Sequence, residues 1–225
     1  MQPNKRHVRY FTKSDLLKNL GITMLAVGGI IFFVGRGVIL YLTMVGLLPG
    51  GLIVFLLGTI GRSTDADINS LIVQKTADME VDLQNNERVR KGMLKSIDKL
   101  TTEGYEFHAD SLIKKAKNAE IRSTEYCRAL LYPLKDCIYM VRVRVDLLTE
   151  EEQRDVVEIP YESISRISTL TETVDVNAGK KIYAVKSSHL VIDRVGEEAL
   201  MLPIRESAVI DQFVDHITRH MAGEL

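Results

Sequence analysis

A long apolar run near the start of the chain constrains the fold more than any other feature. It extends from Leu20 to Ile60 and contains one charged residue, Arg36, which stands between Gly35 and Gly37. A helix needs roughly 20 mostly apolar residues to cross a hydrocarbon core of about 30 Å. The run is therefore long enough for two crossings, and the two glycines mark the point where the chain turns back.

We predict a transmembrane hairpin over residues 20–60, with helices at about 18–35 and 38–60. An arginine in the middle of one long helix would be costly in lipid, whereas an arginine at the tip of a hairpin lies at the far membrane surface. Two other interpretations are a buried hairpin of a soluble protein and a cleaved signal peptide. The length and the uniform apolar character of both halves favour the membrane hairpin.

The N-terminal segment, residues 1–19, is short and basic. Basic residues next to membrane spans favour the cytoplasmic side, so we predict a two-pass protein of a bacterial inner membrane with both termini in the cytoplasm. The same side chains should attract anionic lipid headgroups, at about 1 kcal/mol each near the surface. The predicted membrane-surface residues are Lys5, Arg6, Arg9, Lys13, Lys18 and Arg62.

Small residues lie at similar depths in the two spans and predict close helix packing, because they let helix backbones approach in lipid. The predicted packing residues are Gly28, Gly29, Gly46 and Gly50. They could pack within the hairpin, against a second copy or against a partner protein. A re-entrant pore loop is a further interpretation, which the absence of an intramembrane charge disfavours. Pro49 removes a backbone donor and predicts a kink in the second span.

Residues 63–120 have the pattern of a helical connector. Capping residues and acids at Ser63–Asp67 precede apolar residues at near-helical spacing, such as Ile68 and Leu71. The first helix is acidic and the second is basic, so the two could pack on each other or on neighbouring copies. Alternatively, their charged faces could both be solvated. The segment Ser111–Ile121 predicts one further short helix.

The pattern changes from helical spacing to alternation in residues 122–225, which predicts an antiparallel β-domain that ends in a helix. The terminal helix begins near Glu206, has a continuous apolar face that includes Phe213, and ends at Gly223. The predicted strands are Tyr126–Leu131, Cys137–Leu148, Asp155–Ile159, Ile164–Val176, Lys181–Ser187, His189–Val195 and Ala199–Ile204.

The segment Ile159–Ile167, IPYESISRI, resembles the strand-entry pattern I-P-Y-x-x-I-x-x-I of bacterial pleckstrin-homology-like (PH-like) domains. The later order of a strand with HLVID, a turn, a strand with ALMLPI and a helix is also similar to that family. The resemblance covers about residues 122–222. It implies a partly open antiparallel barrel, plugged at one end by the helix, that serves in binding or assembly and carries no catalytic residues. The first turn has only Lys135, beside Asp136, and lacks the basic cluster of a phosphoinositide site.

Enzyme, cofactor and nucleic-acid functions find little support in the sequence. It contains no Walker-type loop, G-x-G-x-x-G, G-x-S-x-G or H-E-x-x-H motif, so we predict no catalytic residues, no cofactor and no enzyme. A net charge of −1 disfavours nucleic-acid binding, which needs a basic surface. The two cysteines, Cys127 and Cys137, are predicted to be free and buried, because the cytoplasm is reducing.

Three clusters of polar residues contain the residue types of a metal or catalytic site, but their spacing does not fit such a site. His216 and His220, beside Asp215, are one helical turn apart, yet no third ligand accompanies them. Glu150–Glu152 is more typical of a solvated turn than of a cation site. In Ser187-Ser188-His189, adjacent strand positions face opposite ways, so no nucleophile–base pair is expected. The sequence therefore predicts no metal site.

We predict from these observations a membrane-anchored, non-enzymatic scaffold or assembly protein. Its cytoplasmic PH-like domain would make protein contacts or associate with copies of itself, and membrane lipids would be further partners. One alternative is a lipid or small-ligand sensor at the inner leaflet. Another is an accessory subunit of a membrane transporter or channel.

Overall fold

The computed structural model describes residues 2–12, 16–35, 37–80, 86–95, 97–178, 181–205 and 208–224. The chain forms two compact units. One is the hairpin unit, Lys5–Thr64, and the other is the β unit, Asp65–Leu225 together with residues 1–4. The protein therefore combines helices with antiparallel sheets, as predicted.

The hairpin unit contains a short helix, α1 (Lys5–Thr12), followed by two long apolar stretches. The first is α2 (Leu16–Val34), and the second runs without a break over Val38–Thr59. Each is long and apolar enough to cross a membrane, and only 11% of the most apolar window of each is buried. These helices confirm the prediction of two apolar spans. The predicted hairpin tip, Arg36, lies outside the described residues.

The second stretch is irregular directly before Pro49. It consists of α3 (Val38–Leu42), a π-helical turn (Thr43–Leu47) and α4 (Leu48–Thr59). In the π turn the N–H of Leu48 donates to the carbonyl oxygen of Thr43, five residues back. Pro49 has no N–H to donate to the preceding turn, so the regular hydrogen bonding of the helix is interrupted at this point. The irregularity lies where the sequence analysis predicted a kink.

In the β unit, α5 (Asp65–Thr76) and α6 (Glu87–Gly92) precede the strands, and α7 (Ala208–Met221) follows them. Asn86 caps α6 by accepting hydrogen bonds from the N–H groups of Arg88 and Val89. The strands are β1 (Leu100–Glu106), β2 (Ile113–Lys115), β3 (Ile121–Ser123), β4 (Glu125–Pro133), β5 (Cys137–Asp146), β6 (Glu152–Pro160), β7 (Ile164–Ala178), β8 (Lys181–Arg194) and β9 (Leu200–Pro203). A short 3₁₀ turn, Tyr161–Ser163, joins β6 to β7.

Two antiparallel sheets make up the body of the β unit. One has the strand order β1-β4-β5-β6 and the other the order β7-β8-β9, while β2 and β3 form a separate hairpin. The described strands do not close into a barrel. The strands β1 and β9 lie beside each other, and a Cβ added at Gly104 would come within 3.1 Å of the Pro203 side chain.

The main core lies between the two sheets and α7. Leu100, Leu131 and Met140 are register partners on one face of the four-stranded sheet, and Leu190 and Leu202 are partners in the other sheet. The apolar face of α7 contributes Ile210, Phe213 and Ile217 to the same cluster. Full burial of an apolar side chain of this size contributes about 1.5–3 kcal/mol, so this face fixes α7 on the sheets.

The structure corrects three sequence predictions. The helical connector 63–120 does not extend to its predicted end, because β1 occupies 100–106 and the predicted helix at 111–121 is the β2–β3 hairpin. The first strand therefore begins at Leu100, before the predicted start of the β-domain at residue 122. Residues 181–194 form one strand and not two. In each case pairing with a distant or neighbouring strand supplies backbone hydrogen bonds that local spacing does not reveal.

Candidate functional site

The inner face of the four-stranded sheet changes from apolar to charged along its strands. Residues two apart on a strand share a face, so Leu131 and Glu125 of β4 lie on the same side of the sheet. Between them Arg142 of β5 makes an ion pair with Asp155 of β6, with an N–O distance of 2.6 Å. The apolar end of this face packs against α7, and the charged end lines a cleft.

Three carboxylates stand in one row at the charged end. Glu106 of β1 is the register partner of Glu125 of β4, which is in turn the partner of Asp146 of β5. Like charges directly opposite each other destabilise a sheet, so the row needs compensation. Asp146 is compensated locally, because its carboxylate accepts the N–H of Leu148 at 2.7 Å in the following turn.

The other two carboxylates have cationic or polar neighbours. The Nε of Arg144 lies 3.4 Å from Oε1 of Glu106, and the Nε2 of His108 lies 3.5 Å from Oε2 of Glu125. One ligand atom from each of Glu106, His108 and Glu125 lies within 4.8 Å of the others. The Glu106 side chain is 12% exposed, whereas those of His108 and Glu125 are 56% and 46% exposed. These three residues could hold a metal ion.

The opposite wall of the cleft comes from the second sheet and contributes Glu172 of β7, His189 of β8 and Met201 of β9. The cleft has a volume of about 770 Å³. Its lining contains six carboxylates, one guanidinium and two imidazoles: Glu106, Glu125, Asp146, Glu151, Glu152, Glu172, Arg144, His108 and His189. The cleft is therefore strongly acidic.

His189 is the most buried imidazole of the cleft, with a side chain that is 12% exposed. Burial lowers its pKa below the ordinary value, and the negative charges of Glu172 and Glu106 oppose that shift only in part. Its Nε2 lies 3.3 Å from the Ser187 hydroxyl, and its Nδ1 lies 3.8 Å from Glu172. Ser187 and His189 are two positions apart on β8 and therefore share a face of the strand, unlike the adjacent Ser188 and His189.

The Ser187–His189 pair does not have the geometry of a nucleophile and its base. Ser187 is only 4% exposed, and it does not belong to the lining of the acidic cleft. The 3.8 Å separation between His189 and Glu172 exceeds hydrogen-bond range. The pair is better described as a polar contact between His189, which lines the cleft, and the buried Ser187.

Cys127 lies in the row next to the three carboxylates, opposite Gly104 and Arg144. It is fully buried, and burial raises the pKa of its thiol to about 12, with the nearby negative charge of Glu106 as the second cause. Burial likewise raises the pKa of Cys137. Both cysteines are free and buried, which confirms the prediction.

The structure places the predicted membrane-surface residues at the end of the hairpin unit where the two spans meet α1. Lys5, Arg6 and Arg9 belong to α1, and Lys18 lies in the first turns of α2. The Nη1 of Arg9 donates to the carbonyl oxygen of Gly61 at 3.4 Å, directly before Arg62. Lys13 lies outside the described residues. Contact of these side chains with lipid stays a prediction.

The four predicted packing glycines have different surroundings. A Cβ added at Gly28 would lie 2.8 Å from Leu48 Cδ2, and one at Gly50 would lie 3.6 Å from Met24 Cε. At Gly29 and Gly46 an added Cβ would meet no described atom within 4 Å. Only Gly28 of the four therefore lies at a tight helix contact.

The sequence analysis missed three further close glycine contacts, those of Gly21, Gly51 and Gly58. An added Cβ would lie 2.7 Å from Phe55 Cα at Gly21, 3.0 Å from Met24 Cβ at Gly51 and 2.6 Å from the backbone nitrogen of Lys18 at Gly58. Gly21 and Gly28 are seven residues apart, as are Gly51 and Gly58. A seven-residue spacing keeps residues on one helix face, and this signal would have found them.

The other polar clusters that the sequence analysis weighed have partners in the structure. The His220 ring packs edge-on against Tyr161, with 4.9 Å between ring centroids. Asp215 lies 3.8 Å from Arg219. Glu152 lies 3.6 Å from Lys75 of α5, and it lines the cleft together with Glu151.

Sequence analysis missed the cleft cluster because Glu106, His108 and Glu125 come from two strands and a loop. The only local signal is the spacing of Glu106 and His108, which are two residues apart. Comparisons with protein-family models, with curated proteins and with solved structures found no match to this chain.

Proposed function

We propose that this protein is a membrane-anchored sensor whose β domain binds a positively charged ligand. The acidic cleft of about 770 Å³ between the two sheets is the observation that carries the proposal. It has the size of a small-molecule site and brings charged side chains from both sheets to one concave surface. This favours the ligand-sensor alternative of the sequence analysis over the scaffold.

The sign of the charge specifies the ligand. Six carboxylates and one guanidinium line the cleft, and a surface of one dominant sign raises the local concentration of ions of the opposite sign. A cation is favoured there and an anion, such as an inositol phosphate, is disfavoured. The absence of a basic cluster around Lys135 in the sequence supports the same conclusion.

We further propose that the β domain is PH-like. The order of a four-stranded sheet, a three-stranded sheet and a terminal helix supports this assignment, as does the segment Ile159–Ile167. The β2–β3 hairpin would then be an insertion after the first strand. A PH-like domain is a binding module, in keeping with a non-enzymatic function.

The anchor would be the two apolar helices, Leu16–Val34 and Val38–Thr59, in the inner membrane of a bacterium. Both ends of an antiparallel hairpin lie on one side, and the basic residues around Arg9 and Arg62 favour the cytoplasm for that side. Protease protection in right-side-out vesicles tests this topology. Cleavage of the intact β domain by an external protease would contradict it.

The cleft is tested by ligand binding to the full-length protein in nanodiscs of uncharged lipid. Isothermal titration would compare cationic probes, namely spermidine, Mg²⁺ and Zn²⁺, with the anion tripolyphosphate. We expect at least one cation to bind and tripolyphosphate not to bind. Glu172→Gln, in the cleft wall, should weaken binding about three- to tenfold because one neighbouring charge is lost. The matched control is Glu162→Gln, whose exposed carboxylate lies on the 3₁₀ turn outside the cleft lining.

Two results would contradict this proposal. One is the absence of binding by all three cations, and the other is tripolyphosphate binding that exceeds cation binding. Equal effects of Glu172→Gln and Glu162→Gln would place the bound cation elsewhere on the protein.

Self-association is the second candidate function, and the edge strand β6 favours it. β6 is nine residues long and pairs only with β5 among the described strands. Its Val156 is 54% exposed, and an open edge can add a strand from another chain. Mass photometry of the protein in native-lipid nanodiscs would give a discrete oligomer if this function holds, and a monomer if it does not.

A further inference from the structure

We infer that Glu106, His108 and Glu125 form a site for one divalent ion of the zinc or manganese class. The inference rests on the proposed function, because it specifies the cation that the acidic cleft binds. The three donors come from the end of β1, the residue pair that follows it and the start of β4. Two of the donors, Glu106 and Glu125, are thus placed by paired strands, and His108 is placed by the loop that follows β1.

The distances fit a metal centre. Ligand atoms bound to zinc lie about 2.0–2.2 Å from the ion, so two ligands at a tetrahedral angle are about 3.4 Å apart. The His108 Nε2 to Glu125 Oε2 distance is 3.5 Å. All three donors lie within 4.8 Å of one another, so the Glu106 carboxylate needs to move by at most about 1.4 Å to complete the set.

The strand register supplies a separate reason for a cation at this point. Glu106 and Glu125 are direct partners across β1 and β4, an arrangement that costs free energy when both are ionised. A cation between them converts the repulsion into shared coordination. Arg144 lies 3.4 Å from Oε1 of Glu106 and compensates part of the negative charge that Glu106 and Glu125 bring together.

The second sheet adds a further imidazole. His189 lines the same cleft, and its Nδ1 is buried without a hydrogen-bond partner among the described residues. His189 does not belong to the three-residue set and lies on the opposite wall of the same cleft. A buried imidazole nitrogen without a partner is itself a suitable metal ligand, and this nitrogen is independent of the Glu106–Glu125 row.

The donor set selects the class of ion. Calcium and magnesium prefer oxygen ligands only, whereas imidazole with carboxylates suits zinc and manganese. The only thiol in the adjacent row, Cys127, is fully buried, and the three-residue set does not include it. The site therefore has nitrogen and oxygen donors and no sulfur.

Metal binding to the full-length protein in nanodiscs of uncharged lipid tests the inference. The protein is stripped with EDTA, dialysed against Zn²⁺ or Mn²⁺, and analysed for bound metal by mass spectrometry. We expect about one equivalent, and a loss of at least tenfold in affinity for His108→Ala and for Glu125→Gln. His216→Ala and Glu162→Gln, outside the cluster, should bind as the unchanged protein does. Circular dichroism of each variant confirms that the fold is retained.

Cobalt gives a second readout that does not depend on affinity. Co²⁺ in a site with few ligands has strong visible absorption bands, and we expect His108→Ala to change them. Binding that persists in both cluster variants, or that His216→Ala removes, would overturn the assignment. If Zn²⁺ and Mn²⁺ do not bind but spermidine or Mg²⁺ does, the metal site is wrong and the cationic cleft stands. If none of these cations binds, both are wrong.

Discussion

The glycine contacts of the hairpin give the sharpest test of the structure. A Cβ added at Gly58 would lie 2.6 Å from the backbone nitrogen and 2.9 Å from the Cα of Lys18. These are backbone atoms, so no side chain can move aside. At Gly29 and Gly46 an added Cβ would meet no described atom within 4 Å. Alanine at these three positions therefore adds the same methyl group to very different surroundings.

The expected difference follows from the distances. Carbon contacts are favourable at about 3.5–4.0 Å, so Gly58→Ala must push the two helices apart by about 1 Å. Overpacking of this kind costs about 1–3 kcal/mol. Each substitution also gains the helix propensity of alanine over glycine, about 0.5–1 kcal/mol, and this gain cancels when the variants are compared. Gly58→Ala should thus be less stable than Gly29→Ala or Gly46→Ala by about 1–3 kcal/mol.

Energy transfer between dyes on the two spans measures this difference. Dyes on cysteines introduced at Ile22 and Leu57, both of which point outward, report hairpin opening as SDS is titrated into dodecyl maltoside. Gly58→Ala should open at lower SDS than Gly29→Ala and Gly46→Ala. Equal midpoints for all three variants would refute the close packing of Gly58 on Lys18.

Three further predictions concern the β unit. With the Cys127 pKa raised to about 12, only about one Cys127 thiol in 10⁴ is ionised at pH 8, and Cys137 is 3% exposed with a pKa that burial also raises. Neither cysteine should therefore react with a thiol reagent in the folded protein, whereas both should react after denaturation. Fast reaction of the folded protein would contradict their burial. Phe213→Ala should lower the free energy of unfolding by about 3–5 kcal/mol, because this ring lies in the core and is 4% exposed. Thermal melting followed by circular dichroism measures the change. Val209→Ala, at a site that is 59% exposed, should show no comparable loss of stability. Burial lowers the pKa of His189, so the unfolded chain binds a proton at this imidazole at a higher pH than the folded chain does. The free energy of unfolding should therefore be unaffected by this group above about pH 6.5 and should fall as the pH drops from there towards the pKa of the folded state. His189→Gln should reduce this loss in melting temperatures measured from pH 8 to pH 5, and an unchanged pH profile would contradict the shift.

Much of the architecture could be predicted because it is written in local patterns. The spans need only about 20 apolar residues in sequence. Residues 141–146 of β5 alternate between apolar and charged side chains, and α7 shows helical spacing of its apolar residues. The prediction placed β5 at Cys137–Leu148, and the strand is Cys137–Asp146. Each of these elements buries a face that its own residues define.

The first strand and the β2–β3 hairpin could not be predicted in the same way. β1, with the sequence LTTEGYE, has a glycine and few apolar residues, and it becomes a strand because Leu100 pairs with Leu131 of β4. In the segment that the spacing assigned to a helix, Ala119 adopts a φ of 67°, which ends helical geometry and allows the turn between β2 and β3. Long-range pairing outweighs weak local preference in both places.

The candidate site shows the same difference between features that depend on local sequence and features that depend on long-range pairing. The sequence by itself determined the two apolar spans, most of the strands, the terminal helix and the buried state of the cysteines, because each depends on residues close together in the chain. Only the tertiary structure decided that Glu106 and His108 meet Glu125 and face Glu172 and His189 across a cleft. That meeting depends on the register of β1 on β4 and on the position of the second sheet, and a shift of one residue would turn Glu125 to the opposite face.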